Sequence, residues 1–164
     1  MSTTAKANFE LAKEKALDIL KANMIVKPPV IAAELAESEG LQVLCMLFNP
    51  GYTEIAGFID ADKKAIVVNA VESSARQNFT IAHELGHYLL KHHESNEYTV
   101  MWRDPRAMKK TPMEQEANCF AANLLVPSMF LREYLDNYPL ITDWQLSLLF
   151  GVSVDVIRFR RLYS

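Results

Sequence analysis

His83-Glu84-Leu85-Gly86-His87 brings together, within five residues, the side chains needed to hydrolyse an amide. Histidines four apart on a helix lie one above the other on the same face, so both imidazoles can reach one metal ion, with Glu84 beside it. Zinc suits two imidazoles plus a carboxylate, and its open fourth position holds a water whose pKa falls toward about 7. Glu84 can take the proton of that water as it attacks a peptide carbonyl, and later pass it to the departing amine. The predicted reaction is amide hydrolysis without a covalent intermediate. Iron or manganese would accept the same ligands. Coincidence is a weak rival in a chain with only four histidines. A purely structural metal site is a stronger one, but such sites more often use cysteine, and neither Cys45 nor Cys119 lies near the motif in sequence.

A third ligand is required, and Met113-Glu114-Gln115-Glu116-Ala117-Asn118 offers two carboxylates on the next helical segment. Glu114 and Asn118 are four apart and share a face, so Glu114 could bind metal while Asn118 hydrogen-bonds a ligand imidazole. Glu116 is turned roughly 160° from that face by the helical period and reads as a solvated surface residue. His92 and His93, just past the end of the motif helix, stay open as alternatives, although histidines there are more often solvated or on the terminal carbonyls.

The elements that must position these groups follow from apolar spacing. Residues 5–23 place Phe9, Leu11, Ala12, Ala16, Leu17, Ile19 and Leu20 at helical intervals, and residues 30–39 form a second short helix after Pro28 and Pro29. Residues 41–48 suit a buried strand, followed by the turn signal Asn49-Pro50-Gly51. Residues 54–59 and 65–69 are two further strands across a connection of hairpin length. Together they predict a three-stranded antiparallel sheet. Residues 73–92 return to helix and carry the motif, while residues 94–112 are polar and irregular and predict a loop near the cleft. Trp102 and Arg103 of that loop could contact substrate, with Trp102 more simply an anchor packed on the core. Helices are predicted over residues 113–126, over 128–137 with Ser128 as cap, and over 143–150 and 155–162 around Gly151-Val152-Ser153, the last two forming a helix-turn-helix-like pair.

The resulting class is α+β, mostly helical around a small sheet, with a metallopeptidase core over residues 1–127 and a helical segment, 128–164, packed on it as one domain. Half of the 164 residues are hydrophobic and 23% charged, the balance of a globular protein. No apolar run approaches the roughly 20 residues of a membrane span, and the first 20 residues mix Lys and Glu through their apolar positions, unlike a secretory signal. Cytoplasmic residence is the expectation. Two cysteines are too few for a disulfide framework and read as buried thiols. A net charge of −3 argues against nucleic acid as the main partner.

Residues 76–87 (RQNFTIAHELGH) and 114–127 (EQEANCFAANLLVP) resemble the ImmA/IrrE family of metallopeptidases, and the resemblance continues in residues 29–43, 66–69 and 150–153. It implies a compact gluzincin-like fold with zinc held by His83, His87 and Glu114. Characterised members cut or inactivate helix-turn-helix repressors, which implies a partner transcription factor as substrate. Unlike larger members, the chain is expected to lack an added sensor domain, since the sequence offers little beyond the helical tail. The strand 65–69 is expected to border the cleft, with Val68 and Asn69 holding an extended peptide through main-chain hydrogen bonds.

Two readings compete. In one, Arg158, Arg160 and Arg161 of the tail meet DNA phosphates; its counterpart packs Leu146, Leu149, Phe150, Val152, Val156, Ile157 and Leu162 on the core with the arginines in solvent. In the other, a degenerate peptidase serves as a non-catalytic binding protein, such as a toxin-antitoxin partner, against which the intact Glu84 speaks.

Overall fold

Asn8 opens the first helix, α1 (Phe9–Ala22), by accepting the Leu11 N–H on its side chain, and Ala12, Ala16, Ile19 and Leu20 make its buried stripe. The structure, a computed structural model, describes residues 6–52, 54–95 and 111–164. After α1 come α2 (Ala32–Ser38), β1 (Gln42–Met46), a 3₁₀ turn (Pro50–Tyr52), β2 (Gly57–Asp60) and β3 (Ala65–Asn69). Helix α3 (Ser74–Leu89), a second 3₁₀ turn (His92–Glu94) and then α4 (Pro112–Leu125), α5 (Ser128–Asn137), α6 (Asp143–Phe150) and α7 (Val154–Tyr163) follow. This is a mostly helical α+β arrangement with a small sheet. Among the described residues no helix is long and apolar enough to cross a membrane.

The sheet is mixed, correcting the antiparallel expectation. Its order is β1-β3-β2: the hairpin pair β2–β3 is antiparallel as its short connection requires, but β1 lies parallel to β3 on the other side. Short connections decide pairing only between the strands they join, and the longer path from β1 through the 3₁₀ turn places β2 across β3 from it. Consequently β3 is buried along its whole length, whereas β1 is largely exposed instead of being a core strand. Cys45, on β1, is exposed for the same reason, while Cys119 is buried as expected.

The expectation that β3 offers an edge to substrate also fails. Val68 pairs with Cys45 on one side and Gly57 on the other, and both Val68 and Asn69 are 1% exposed. Their main-chain groups are engaged within the sheet, so an extended peptide has no edge to join there.

Helix α4 is the centre of the molecule, packed against both α1 and α3. Its Phe120, Leu124 and Leu125 are fully buried in a cluster that includes Ile66, Leu85, Leu131, Leu146, Phe150 and Ile157. The tail meets that core. Arg160, instead of reaching solvent, is 1% exposed: its Nε donates to the Val126 carbonyl at 3.0 Å and its Nη2 to the Ser128 hydroxyl at 2.7 Å. Ser128 is therefore a partner of α7 and makes no side-chain cap for α5. Arg161 and Arg158 both pair with Asp143 on α6, Arg161 at 2.6 Å.

Candidate metal centre

Helix α3 delivers the motif. Ser73 caps it by accepting the Arg76 N–H, and Ile81, Ala82 and Leu85 pin one side to the core, which turns His83 and His87 toward α4. Gly86 permits the approach: a Cβ there would meet Phe120 Cδ1 at 2.8 Å. Helix α4 begins at Pro112, with Thr111 accepting the Glu114 N–H at 3.3 Å. Thr-Pro-x-Glu is thus a helix start with proline at its first position, not the loop signal suggested by the proline. Glu114 enters the site from this first turn.

Potential ligand atoms of three residues converge. Nε2 of His83 and Nε2 of His87 are 3.0 Å apart, Glu114 Oε2 is 3.2 Å from His83 Nε2, and Glu114 Oε1 is 3.0 Å from His87 Nε2. Ligands at zinc bond lengths on a tetrahedron stand about 3.3 Å from one another, close to these separations. Glu114 Oε1 is buried and, despite its distance from His87, has no hydrogen-bond partner among the described residues. A buried carboxylate oxygen without a donor is costly, and a cation between it and the imidazoles would remove that cost. The donor set therefore fits a divalent metal, and His83, His87 and Glu114 could hold it.

The surroundings orient these groups. Asn118 Oδ1 lies 3.0 Å from His83 Nδ1, so the Nδ1–H donates to it and Nε2 keeps its lone pair for the site. Glu84 is 8% exposed and its carboxyl is pushed up to about 7, chiefly by burial, with the Glu114 charge adding to the effect; the His83 charge and the Ile59 N–H work against it. Burial would raise Glu114 as well, but its close contacts with the His83 and His87 imidazoles and their charge win and hold it down at about 2. Burial pushes His87 down to about 4. For His83 burial opposes the charged form most strongly, yet Glu114 and Glu84 outweigh it and raise the imidazole.

Glu116 and His92 take part in a way their positions in the sequence do not announce. Glu116 is not a solvated residue: its Oε2 is 2.8 Å from His92 Nε2, and its Oε1 accepts the Asn8 N–H at 2.6 Å. His92 is 6% exposed, and its Nδ1 lies 2.8 Å from His87 Nδ1, so it contacts a candidate ligand without joining the ligand cluster. His93 stacks on Tyr88 instead. A left-handed Lys91 (φ 59°) starts the turn that folds His92 back, a bend with no sequence signal stronger than the end of the apolar pattern. Trp102 and Arg103 lie outside the described residues.

Fold and site together define an H-E-x-x-H protein with a two-histidine, one-carboxylate centre on a small α+β scaffold. The chain belongs to the Peptidase_M78 family, described as the IrrE N-terminal-like domain, whose profile matches residues 36–161. It is 32% identical over 111 residues to "Uncharacterized immunity region protein 2" of Bacillus phage phi105, covering 66% of this chain and 67% of that protein. It is 31% identical over 98 residues to "Metallopeptidase ImmA" of Bacillus subtilis (strain 168), covering 58% of this chain and 56% of that one. Among solved structures, a "Mycobacterium tuberculosis transcriptional regulator" superposes with a TM-score of 0.67 at 18% identity, over 92% of this chain and 46% of its own. At that identity the likeness shows the fold alone. The chain thus spans little more than half of the metallopeptidase relative and under half of the regulator.

Proposed function

We propose that this chain is a zinc-dependent endopeptidase that cuts a helix-turn-helix transcriptional repressor in the cytoplasm. The observation that carries the reading is the donorless, buried Glu114 Oε1 facing two imidazole nitrogens whose lone pairs point the same way. His83, His87 and Glu114 are the proposed ligands, and Asn118 holds His83 in the ligating tautomer. Manganese or iron would suit the same donors. A divalent ion held there supplies Lewis acidity, polarising a peptide carbonyl and lowering the pKa of water.

Glu84 is the proposed general base. Its carboxylate can accept a proton from the attacking water and release that proton to the amine nitrogen as the C–N bond breaks. The Ile59 N–H, which Glu84 accepts, keeps the carboxylate aimed along β2.

The outer edge of β2 replaces β3 as the proposed seat for an extended substrate segment. Asn69 N–H donates to the Ala56 carbonyl, so the alternation of an antiparallel ladder turns the main-chain groups of Gly57 and Ile59 outward, the Ile59 N–H to Glu84 and those of Gly57 toward the substrate seat. The names of the two relatives, one a metallopeptidase and one a protein of a phage immunity region, support a repressor as the substrate class.

The test is incubation of the zinc-loaded protein with a helix-turn-helix repressor encoded beside it, followed by mass spectrometry of the products. Glu84→Gln should retain one zinc per chain while cleavage slows at least about 100-fold. A purified protein that takes up no divalent metal would overturn the reading.

A further inference from the structure

Behind His87, on the side away from Glu114, runs a chain of polar contacts, buried at His87 and His92 and reaching the surface at Asn8, that the hydrolytic machinery does not require. Glu116 Oε2 is 2.8 Å from His92 Nε2, and His92 Nδ1 is 2.8 Å from His87 Nδ1. The other Glu116 oxygen accepts the Asn8 N–H at 2.6 Å, so both oxygens of this carboxylate are held. Asn8 in turn caps α1, and Glu116 sits on the back of α4, two residues beyond Glu114.

Proton inventory along this chain has one consistent solution for buried neutral rings. A carboxylate only accepts, so His92 Nε2 carries a hydrogen and donates to Glu116. Nδ1 of His92 is then a lone pair, which makes His87 Nδ1 the donor between the two rings. His87 Nε2 is left unprotonated, facing Glu114 Oε1 and His83 Nε2 at 3.0 Å each. The opposite tautomer of His87 would put a hydrogen where the metal must bind.

We propose that Glu116 and His92 are positioning residues that fix the tautomer and the ring plane of His87 as a metal ligand, through a carboxylate–imidazole–imidazole chain anchored on the start of α1. This rests on the assignment of His83, His87 and Glu114 as ligands. Asn118 does for His83 with one side chain what Glu116 and His92 do for His87 with two. The longer chain also ties the metal centre to α1, an element that contributes no ligand.

Zn²⁺ affinity is measured on the 164-residue chain by chelator competition, together with the visible spectrum of the Co²⁺-loaded form. His92→Phe fills the space without an acceptor, and Glu116→Gln cannot accept from both His92 and Asn8. Each should bind Zn²⁺ about 10- to 100-fold more weakly than wild type, with a changed Co²⁺ spectrum. Glu94→Gln, which removes an exposed carboxylate from the same 3₁₀ turn, should match wild type in both. Should the variants fold poorly, ¹⁵N NMR of histidines in the zinc-loaded wild type reads the tautomers directly. The expected pattern is hydrogen on Nδ1 of His87 and on Nε2 of His92. Folded variants with wild-type affinity and spectrum, or the reverse tautomers, would overturn the positioning role while the ligand assignment stood. Wild type that binds no Zn²⁺ would overturn both.

Discussion

Glu114 occupies the third position of α4, where a capping-box glutamate would fold back onto the Thr111 N–H. It turns to the imidazoles instead, so the backbone half of the cap is made and the side-chain half is given to the site. Burial then sets the protonation of its neighbours in opposing directions. The unfolded chain protonates His87 at about 6.5 but the folded metal-free protein only at about 4, so between these values the unfolded state binds more protons and stability rises with pH. Glu84 acts oppositely: unfolded it ionises near 4.5, folded near 7, and stability falls as pH rises across that window. The two effects overlap and offset each other in metal-free wild type. Metal-free Glu84→Gln should therefore lose stability steeply as pH falls from about 6.5 toward 4, while wild type changes less. Urea midpoints across that range check this; parallel profiles would count against the assigned burial of these groups.

At the scale of elements, the distance between α3 and α4 decides whether four side chains become a site. Gly86 sets that distance. A Cβ at this position would lie 2.8 Å from Cδ1 and 3.2 Å from Cβ of Phe120, a fully buried side chain. Alanine gains up to about 1 kcal/mol of helix propensity over glycine, but overpacking here costs about 1–3 kcal/mol and has to be relieved by separating the helices. Gly86→Ala is expected to weaken zinc binding more than tenfold and to lower the melting temperature, measured by chelator competition and calorimetry. Gly57 plays the same part between β2 and its neighbours, since a Cβ there would sit 2.6 Å from the Val67 carbonyl oxygen and 2.7 Å from Thr80 Cγ2. These close approaches explain why the motif helix and the strand beside Glu84 keep a fixed relation.

Across the whole molecule, the last helix is joined to the rest of the fold by a buried arginine. Arg160 spans from α7 to the junction of α4 and α5, and among the described residues it has hydrogen-bond acceptors but no carboxylate within ion-pair distance. Burial lowers its pKa, yet three oxygens accept hydrogen bonds from the guanidinium. Arg160→Met preserves the packing of the stem and leaves the Val126 carbonyl and the Ser128 hydroxyl without this donor. The expected loss is about 1–3 kcal/mol, or roughly 2–4 °C of melting temperature per kcal/mol for a chain of this size. Thermal unfolding measures it, and a variant as stable as wild type would show the tie to be dispensable. The same burial withdraws Arg160 from any phosphate, while Arg158 and Arg161 meet acidic partners on α6 and α7.

The sequence by itself determined what is local. Spacing on one helix placed His83, Glu84 and His87 together; a second helical period put Glu114 and Asn118 on one face; and apolar periodicity with turn signals located each described α-helix and strand to within a few residues. Only the tertiary structure decided what depends on contacts between distant segments. The order β1-β3-β2 was undetermined because strand pairing beyond a hairpin is not encoded in the strands' own alternation. Glu116 looked solvated because the helical period describes one helix alone, whereas His92 arrives from a 3₁₀ turn and Asn8 from the far end of the chain. Arg160 was read as surface because charge predicts exposure unless acceptors wait inside, and those acceptors, Val126 and Ser128, lie more than thirty residues away.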